Sequence, residues 1–306
     1  MSASLAVESL IGMLPGKAVV YRGSVAMSMR SVADQYLLTR DVSRGYAANL
    51  RRTAGKLDAF GITAASIDGT SLSTWLSSLR DAGLSSVSIA SERRSAITIW
   101  KFAIESGATD RPIRGVLKPR VTRPPTRAFL RSDLTEAVKR LRGCDFPAFQ
   151  SGCSKKLWLE AWLRYVYETG ARFTDAHALR AIQLVPGGVA WTASKTGLPV
   201  IKRISPAVEA LLSTLAAQSP DGTVFSWAVS RRHAFAEIRR AFPLIGLTGG
   251  KTQWLRRSGA THAEAERRGA AKEYLAHRTD GLAERSYLDY TQLLDGATRP
   301  PDLGID

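Results

Sequence analysis

Apolar side chains recur near helical spacing over 25–40, with Met29, Val32, Tyr36 and Leu37 among them, and this predicts a first helix. Ser43 heads a second predicted helix that runs to about Phe60 and is closed by Gly61. A third spans Ser71 to Ala82 and stops at Gly83. A fourth starts at Ser85 or Ser86 and carries Ile89, Ile97, Trp100 and Ile104 to Ser106-Gly107. Four helices joined by short polar turns predict a small helical bundle.

The pattern changes after residue 128. Helical periodicity covers 132–141, 155–169, 206–217, 230–241, 252–269 and 282–294. Between them, 181–204 reads as strands, with turns at Pro186-Gly187-Gly188 and Thr196-Gly197. The expected fold class is mostly α with a small β-sheet: an N-terminal helical domain followed by a C-terminal α+β domain. Arg111 to Arg127, RPIRGVLKPRVTRPPTR, is rich in proline and basic residues and has no acidic one. Proline keeps such a stretch extended, and it spans about 50 Å. The predicted organisation is an N-terminal arm over 1–23, a helical domain over 24–110, a linker over 111–128, and a second domain over 129–306 that includes a C-terminal tail.

Charge narrows the function. The 306 residues carry 43 Lys+Arg against 27 Asp+Glu, a net +16. Both halves share the excess, so a polyanionic partner is expected, and nucleic acid fits best. A membrane surface fits poorly, because no single amphipathic segment holds the charge. No apolar run is long enough to span a bilayer, and the first twenty residues lack the basic start of a signal peptide. Cys144 and Cys153 lack metal-ligand company, and a free thiol is expected in a cytoplasmic protein. His177, His233, His262 and His277 do not form a metal-binding spacing.

Four local patterns occur in order. Tyr167-Glu168-Thr169-Gly170-Ala171-Arg172-Phe173-Thr174-Asp175 ends a helix at Gly170 and places Arg172 on the turn beyond. Ser194-Lys195-Thr196-Gly197 sets a lysine at a turn between strands. Gln253-Trp254-Leu255-Arg256-Arg257 opens a helix. Leu275-Ala276-His277 is followed by Tyr287-Leu288-Asp289. Each has an ordinary reading: a salt-bridged arginine, a solvated turn lysine, a core histidine, a packing tyrosine. Their joint order is what carries information.

Together these residues resemble the tyrosine recombinase family, the lambda-integrase-like enzymes. Thr169-Gly170-Ala171-Arg172 looks like the family's first arginine box, with Asp175 where an acidic residue supports that arginine. The Lys195 turn looks like its hairpin lysine, and Arg256 matches the arginine of its His-x-x-Arg box. Leu275-Ala276-His277 looks like its Leu-Gly-His box, and Tyr287 like its nucleophile. The motifs cover about 165–290. The first half is similar, less specifically, to the family's core-binding domain. Two departures stand out. Gln253 replaces the box histidine; it can donate a hydrogen bond to a phosphate but cannot carry a proton. The gap from His277 to Tyr287 is one residue longer than usual, with Ser286 at the usual place, and Tyr290 is a rival nucleophile.

The resemblance implies site-specific recombination of duplex DNA through a 3′-phosphotyrosyl intermediate, without metal, ATP or other cofactor, by four protomers that pair two sites. The residue types suit that chemistry. Two arginines clamp the charge of a pentacoordinate phosphate with planar donors. A phenol ordinarily titrates near about 10, and cations favour its ionised form. The expected catalytic set is Arg172, Lys195, Gln253, Arg256, His277 and Tyr287. In the first domain, Arg44, Arg51, Arg52 and Lys56 lie on the second helix, and Arg93, Arg94 and Lys101 on the fourth. They form either a solvated face or a phosphate-binding one. Two alternatives remain: a degenerate protein that binds its site without cutting, and a type IB topoisomerase-like enzyme.

Overall fold

Side-chain caps set most helix starts. A computed structural model describes residues 27–122, 125–276, 283 and 286–293. The chain divides into two compact units, with the division after residue 124. The first unit contains α1 (Met29–Thr39), α2 (Arg44–Ala59), α3 (Gly69–Asp81) and α4 (Ser86–Glu105). Ser28, Ser43 and Ser85 each accept the backbone N–H three residues on, satisfying a donor that a helix start leaves over. α3 begins earlier than its periodicity predicts. Asp68 takes the Ser71 N–H at 2.7 Å and the Ser71 hydroxyl returns to the Asp68 N–H at 2.9 Å, so Ser71 closes a capping box.

The core of this unit is built on Trp75, Trp100, Leu50, Leu57, Leu72 and Leu76. Glu92 lies buried between α2 and α4, where Thr53 Oγ1 donates to it at 2.7 Å and Lys56 Nζ at 2.5 Å. The proline-rich stretch begins docked on this unit. Ile113, Val116 and Leu117 pack on its core. Trp100 Nε1 donates to the Arg111 carbonyl at 3.0 Å, and Arg93 Nε to the Leu117 carbonyl at 2.9 Å.

The second unit contains α5 (Arg131–Gly143), α6 (Lys155–Thr169), α7 (Phe173–His177), strands β1 (Leu184–Val185), β2 (Gly188–Thr192) and β3 (Pro199–Arg203), then α8 (Pro206–Ala217), α9 (Arg231–Leu244), α10 (Thr252–Glu266) and α11 (Ala270–Leu275). The strands form one antiparallel sheet in sequence order, with Ala190 opposite Ile201 and Trp191 opposite Val200. α6 is the central helix. Trp158, Leu159, Ala161, Trp162, Leu163, Tyr165 and Val166 are all buried, and the Trp158 and Trp162 rings stack at 5.2 Å. Truncating one such tryptophan costs about 3–5 kcal/mol. Its buried Glu160 is held by Arg142 at 2.6 Å and Arg164 at 3.4 Å.

One predicted element differs. A continuous helix over 282–294 is expected, yet Tyr287 lies in a turn, Leu288 and Asp289 are irregular, and Tyr290–Gln292 forms a single 3-10 turn. The Asp289 carboxylate accepts from the Thr291 hydroxyl at 2.6 Å and N–H at 3.3 Å, a local bond that competes with the helix. The predicted arm over 1–23, His277 and most of the tail lie outside the described residues. Among the described residues, no helix is long and apolar enough to cross a membrane. Cys144 and Cys153 are free thiols, and burial pushes Cys153 up to about 11.

Candidate active site

α6 ends at Gly170, whose φ of 61° places it in the left-handed region. A Cβ at Gly170 would meet the Tyr274 ring at 2.7 Å, so glycine is required twice over. The chain then turns to Arg172, which caps α7. Arg172 is 3.8 Å from Asp175, whose carboxylate is buried. Asp175 Oδ1 also accepts the Ser194 hydroxyl at 2.5 Å and the Ser194 N–H at 3.0 Å. One carboxylate therefore fixes both Arg172 and the β2–β3 turn that carries Lys195.

Arg256 is 6% exposed on the first turns of α10. Its guanidinium donates to the carbonyls of Gly170 and of Leu275, the latter at 3.1 Å. It thus joins the first arginine box to the end of α11. The Arg256 Cζ lies 5.2 Å from the Tyr287 ring centroid. Burial lowers the Arg256 pKa, Tyr287 counters that, and Arg172 lowers it further. Leu288, next to Tyr287, is buried in a small cluster with Ala260, Ala271 and Leu275. Ala276, in the Leu-Gly-His-like box, has φ 51°. That left-handed conformation explains why glycine suits the position.

A cleft of about 380 Å³ collects these groups. It is lined by Arg172, Lys195, Gln253, Arg256 and Tyr287, over an apolar floor that includes Trp162 and Phe173. Five residues of the expected catalytic set therefore share one cleft, and His277, the sixth, lies outside the described residues. A second lysine, Lys202, lines a smaller adjoining cavity with Arg172 and Arg256. Its Nζ donates to the Glu273 carbonyl at 2.7 Å, and burial, followed by Arg256, lowers its pKa.

No protein-family profile and no curated protein matches the chain. A lambda integrase(75-356) dimer bound to a COC' core site is 16% identical and superposes with a TM-score of 0.69, covering 92% of this chain and all of that one. The fold is that of lambda integrase. The same integrase fold is shared with the XerH site-specific recombinase bound to a palindromic difH substrate, at 14% identity and TM-score 0.66, over 82% of this chain and 78% of that one. It is also shared with the Tn1549 transposon integrase in complex with circular intermediate DNA, at 11% identity and TM-score 0.63, over 89% of this chain and all of that one. A lambda integrase tetramer bound to a Holliday junction matches at 15% identity and TM-score 0.69, over 87% and 78%.

In the helical unit the expected DNA contacts separate into two groups. Arg44, Arg52, Arg94 and Lys101 are exposed. Arg51 pairs with Asp34 at 2.7 Å, and Arg93 holds the Leu117 carbonyl. Three further residues of the integrase fold were not singled out by sequence. Ser194, next to Lys195, donates its hydroxyl and N–H to the Asp175 carboxylate. Tyr274 is half-buried, with its hydroxyl donating to the Tyr167 carbonyl at 2.5 Å. Trp162 floors the cleft. An aromatic at either position carries no sign of function in the sequence.

Proposed function

We propose that this chain is a site-specific DNA recombinase that breaks and rejoins duplex DNA through Tyr287. The observation that carries this reading is the single cleft shared by Arg172, Lys195, Gln253, Arg256 and Tyr287. The Tyr287 phenol oxygen bonds to phosphorus as the P–O5′ bond breaks. The product is a 3′-phosphotyrosyl link and a free 5′ hydroxyl. Arg172 and Arg256 bind the non-bridging oxygens and stabilise the charge that builds there. Gln253 adds a neutral donor. Lys195, exposed at the hairpin tip, gives its proton to the departing 5′ oxygen. Lys202 suits that task less, since its Nζ is committed to the Glu273 carbonyl. His277 is assigned to the phenol proton by resemblance alone. Attack by a second 5′ hydroxyl reverses the steps and conserves the phosphodiester energy.

The basic helical unit and the stretch after it supply sequence-independent phosphate contacts. Duplex DNA with paired sites is the proposed partner, and a homotetramer the proposed assembly. Gln253 favours a second reading, a protein that binds without cutting, because it cannot relay a proton. The test is covalent trapping on nicked duplexes from the region flanking the gene, in EDTA, with wild type, Tyr287→Phe and Tyr290→Phe. An adduct lost in Tyr287→Phe and kept in Tyr290→Phe supports the recombinase. Site-specific binding with no adduct on any fragment supports the binding protein. Relaxation of supercoiled plasmid lacking a special site would indicate a topoisomerase-like enzyme.

A further inference from the structure

Asp289 lies two residues past Tyr287 and is 3% exposed. Its carboxylate is a hub. Oδ2 accepts the Ala128 N–H at 2.9 Å, across 161 residues of sequence, and the Gln292 side-chain amide at 3.2 Å. Oδ1 accepts the Thr291 hydroxyl and N–H. The Gln292 amide also donates to the Ala128 carbonyl at 3.2 Å. The Asp289 N–H donates to Thr261 Oγ1 at 3.0 Å, and next to Ala128 the Phe129 N–H donates to Ser258 Oγ at 2.8 Å. Thr261 and Ser258 both lie on α10, the helix that carries Arg256. Burial raises the Asp289 pKa, but the bonds from Thr291, Ala128 and Gln292 outweigh it and leave it below the usual carboxylate range.

We propose that Asp289 is a positioning residue that fastens the Tyr287 segment to α10 and to Ala128, the first residue after the basic stretch 111–127. This rests on the reading of Tyr287 as the nucleophile. Two features support it. The Tyr287 N–H makes a helical bond to the Ala283 carbonyl at 2.9 Å and the regular helix stops there, so the bonds made by Asp289 anchor the irregular segment that follows and help set where the phenol stands relative to Arg256. And one partner of Asp289, Ala128, is the exit of the basic stretch proposed above to contact phosphates. Engagement of that segment on a duplex and placement of the nucleophile then share one hydrogen-bond hub. Asparagine at 289 keeps one acceptor oxygen but puts an amide where the other donors converge, so it preserves part of the hub.

The test uses the full chain with Asp289→Asn, Asp289→Ala and Ala128→Pro, the last removing the donor while keeping the Ala128 carbonyl. Single-turnover adduct formation should fall about 100-fold in Asp289→Ala and about 10-fold in Asp289→Asn, with DNA affinity changed less than twofold. Ala128→Pro should fall between them. A substrate with sulfur at the bridging 5′ position should rescue Lys195→Ala, because thiolate leaves without a proton, and should leave Asp289→Ala slow. A readout independent of cleavage is the 19F signal of 3-fluorotyrosine placed at 287. It should show one environment in the parent chain and an averaged, solvent-like one in Asp289→Ala. Parent-like adduct rates and an unmoved 19F signal would overturn the proposal, as would rescue by the sulfur substrate. A parent chain that forms no adduct would defeat the recombinase reading, and the 19F comparison would still decide the role of Asp289.

Discussion

Gly259 is where packing of the site is tightest, and replacing it with alanine gives a prediction with a computable size. It lies on α10 one turn beyond Arg256 and faces α6. A Cβ there would stand 2.0 Å from the Tyr274 hydroxyl oxygen, 2.4 Å from its Cζ and 2.5 Å from the Tyr167 carbonyl oxygen. The last is backbone and cannot swing away. Overpacking of this kind costs about 1–3 kcal/mol. Displacing Tyr274 also breaks its partly buried bond to the Tyr167 carbonyl, about 1–3 kcal/mol more. Alanine returns about 1 kcal/mol through its better helix propensity. The balance is a loss of about 3 kcal/mol, or roughly 10 °C in the melting of a unit this size. Scanning calorimetry should show the transition of the unit beginning at residue 125 moving down while that of the helical unit stays. In a Tyr274→Phe background the hydroxyl is already gone, so the added cost of alanine should shrink by about 1–2 kcal/mol. Adduct formation should drop as well, because α10 carries Arg256. A melting temperature equal to or above the parent's would mean that helix propensity outweighs the steric conflict, contrary to this prediction.

Two further outcomes follow from the structure. Ala276→Gly relieves a left-handed alanine worth about 1 kcal/mol against a similar entropic loss. Its stability should match the parent within about 0.5 kcal/mol, whereas Ala263→Gly inside α10 should lose about 1 kcal/mol; urea midpoints check both. Burial lowers the pKa of both His177 and His262, so the folded chain resists protons that the unfolded chain accepts. Their contribution is complete above the ordinary histidine range near about 6.5 and declines as pH falls below it, by up to about 1.4 kcal/mol per pH unit for each. Unfolding midpoints taken from pH 7.5 to 5 should fall, and His262→Gln should flatten the slope.

How much of this was legible beforehand depends on where each element finds its support. α6 and α8 are read to the residue because local signals bound them: Ser154 and Ser205 cap their starts, and Gly170 ends α6 in the left-handed region. The two short helices, α7 and α11, carry too few residues for periodicity. They are held instead by contacts such as Arg256 on the Leu275 carbonyl. The expected helix over 282–294 breaks at a local bond, from Thr291 to the Asp289 carboxylate, that apolar periodicity does not register. Arg93 shows the same limit: a basic helix face suggests phosphate contact, while the structure gives its Nε to a backbone carbonyl. The proposed catalytic set is legible as an ordered series of motifs. The meeting of five of its members in one cleft, and the part played by Asp175 in tying Arg172 to the Lys195 turn, needed the fold.

In the proposed reaction Tyr287 becomes covalently joined to DNA. The most direct measurement is mass spectrometry of the trapped adduct after nuclease and protease digestion, locating the residue that carries the 3′-nucleotide. The nucleotide should be found on the peptide containing Tyr287, with fragmentation placing it on that phenol and none recovered from Tyr287→Phe. A nucleotide on Tyr290 or on another side chain, or an undiminished adduct in Tyr287→Phe, would contradict it.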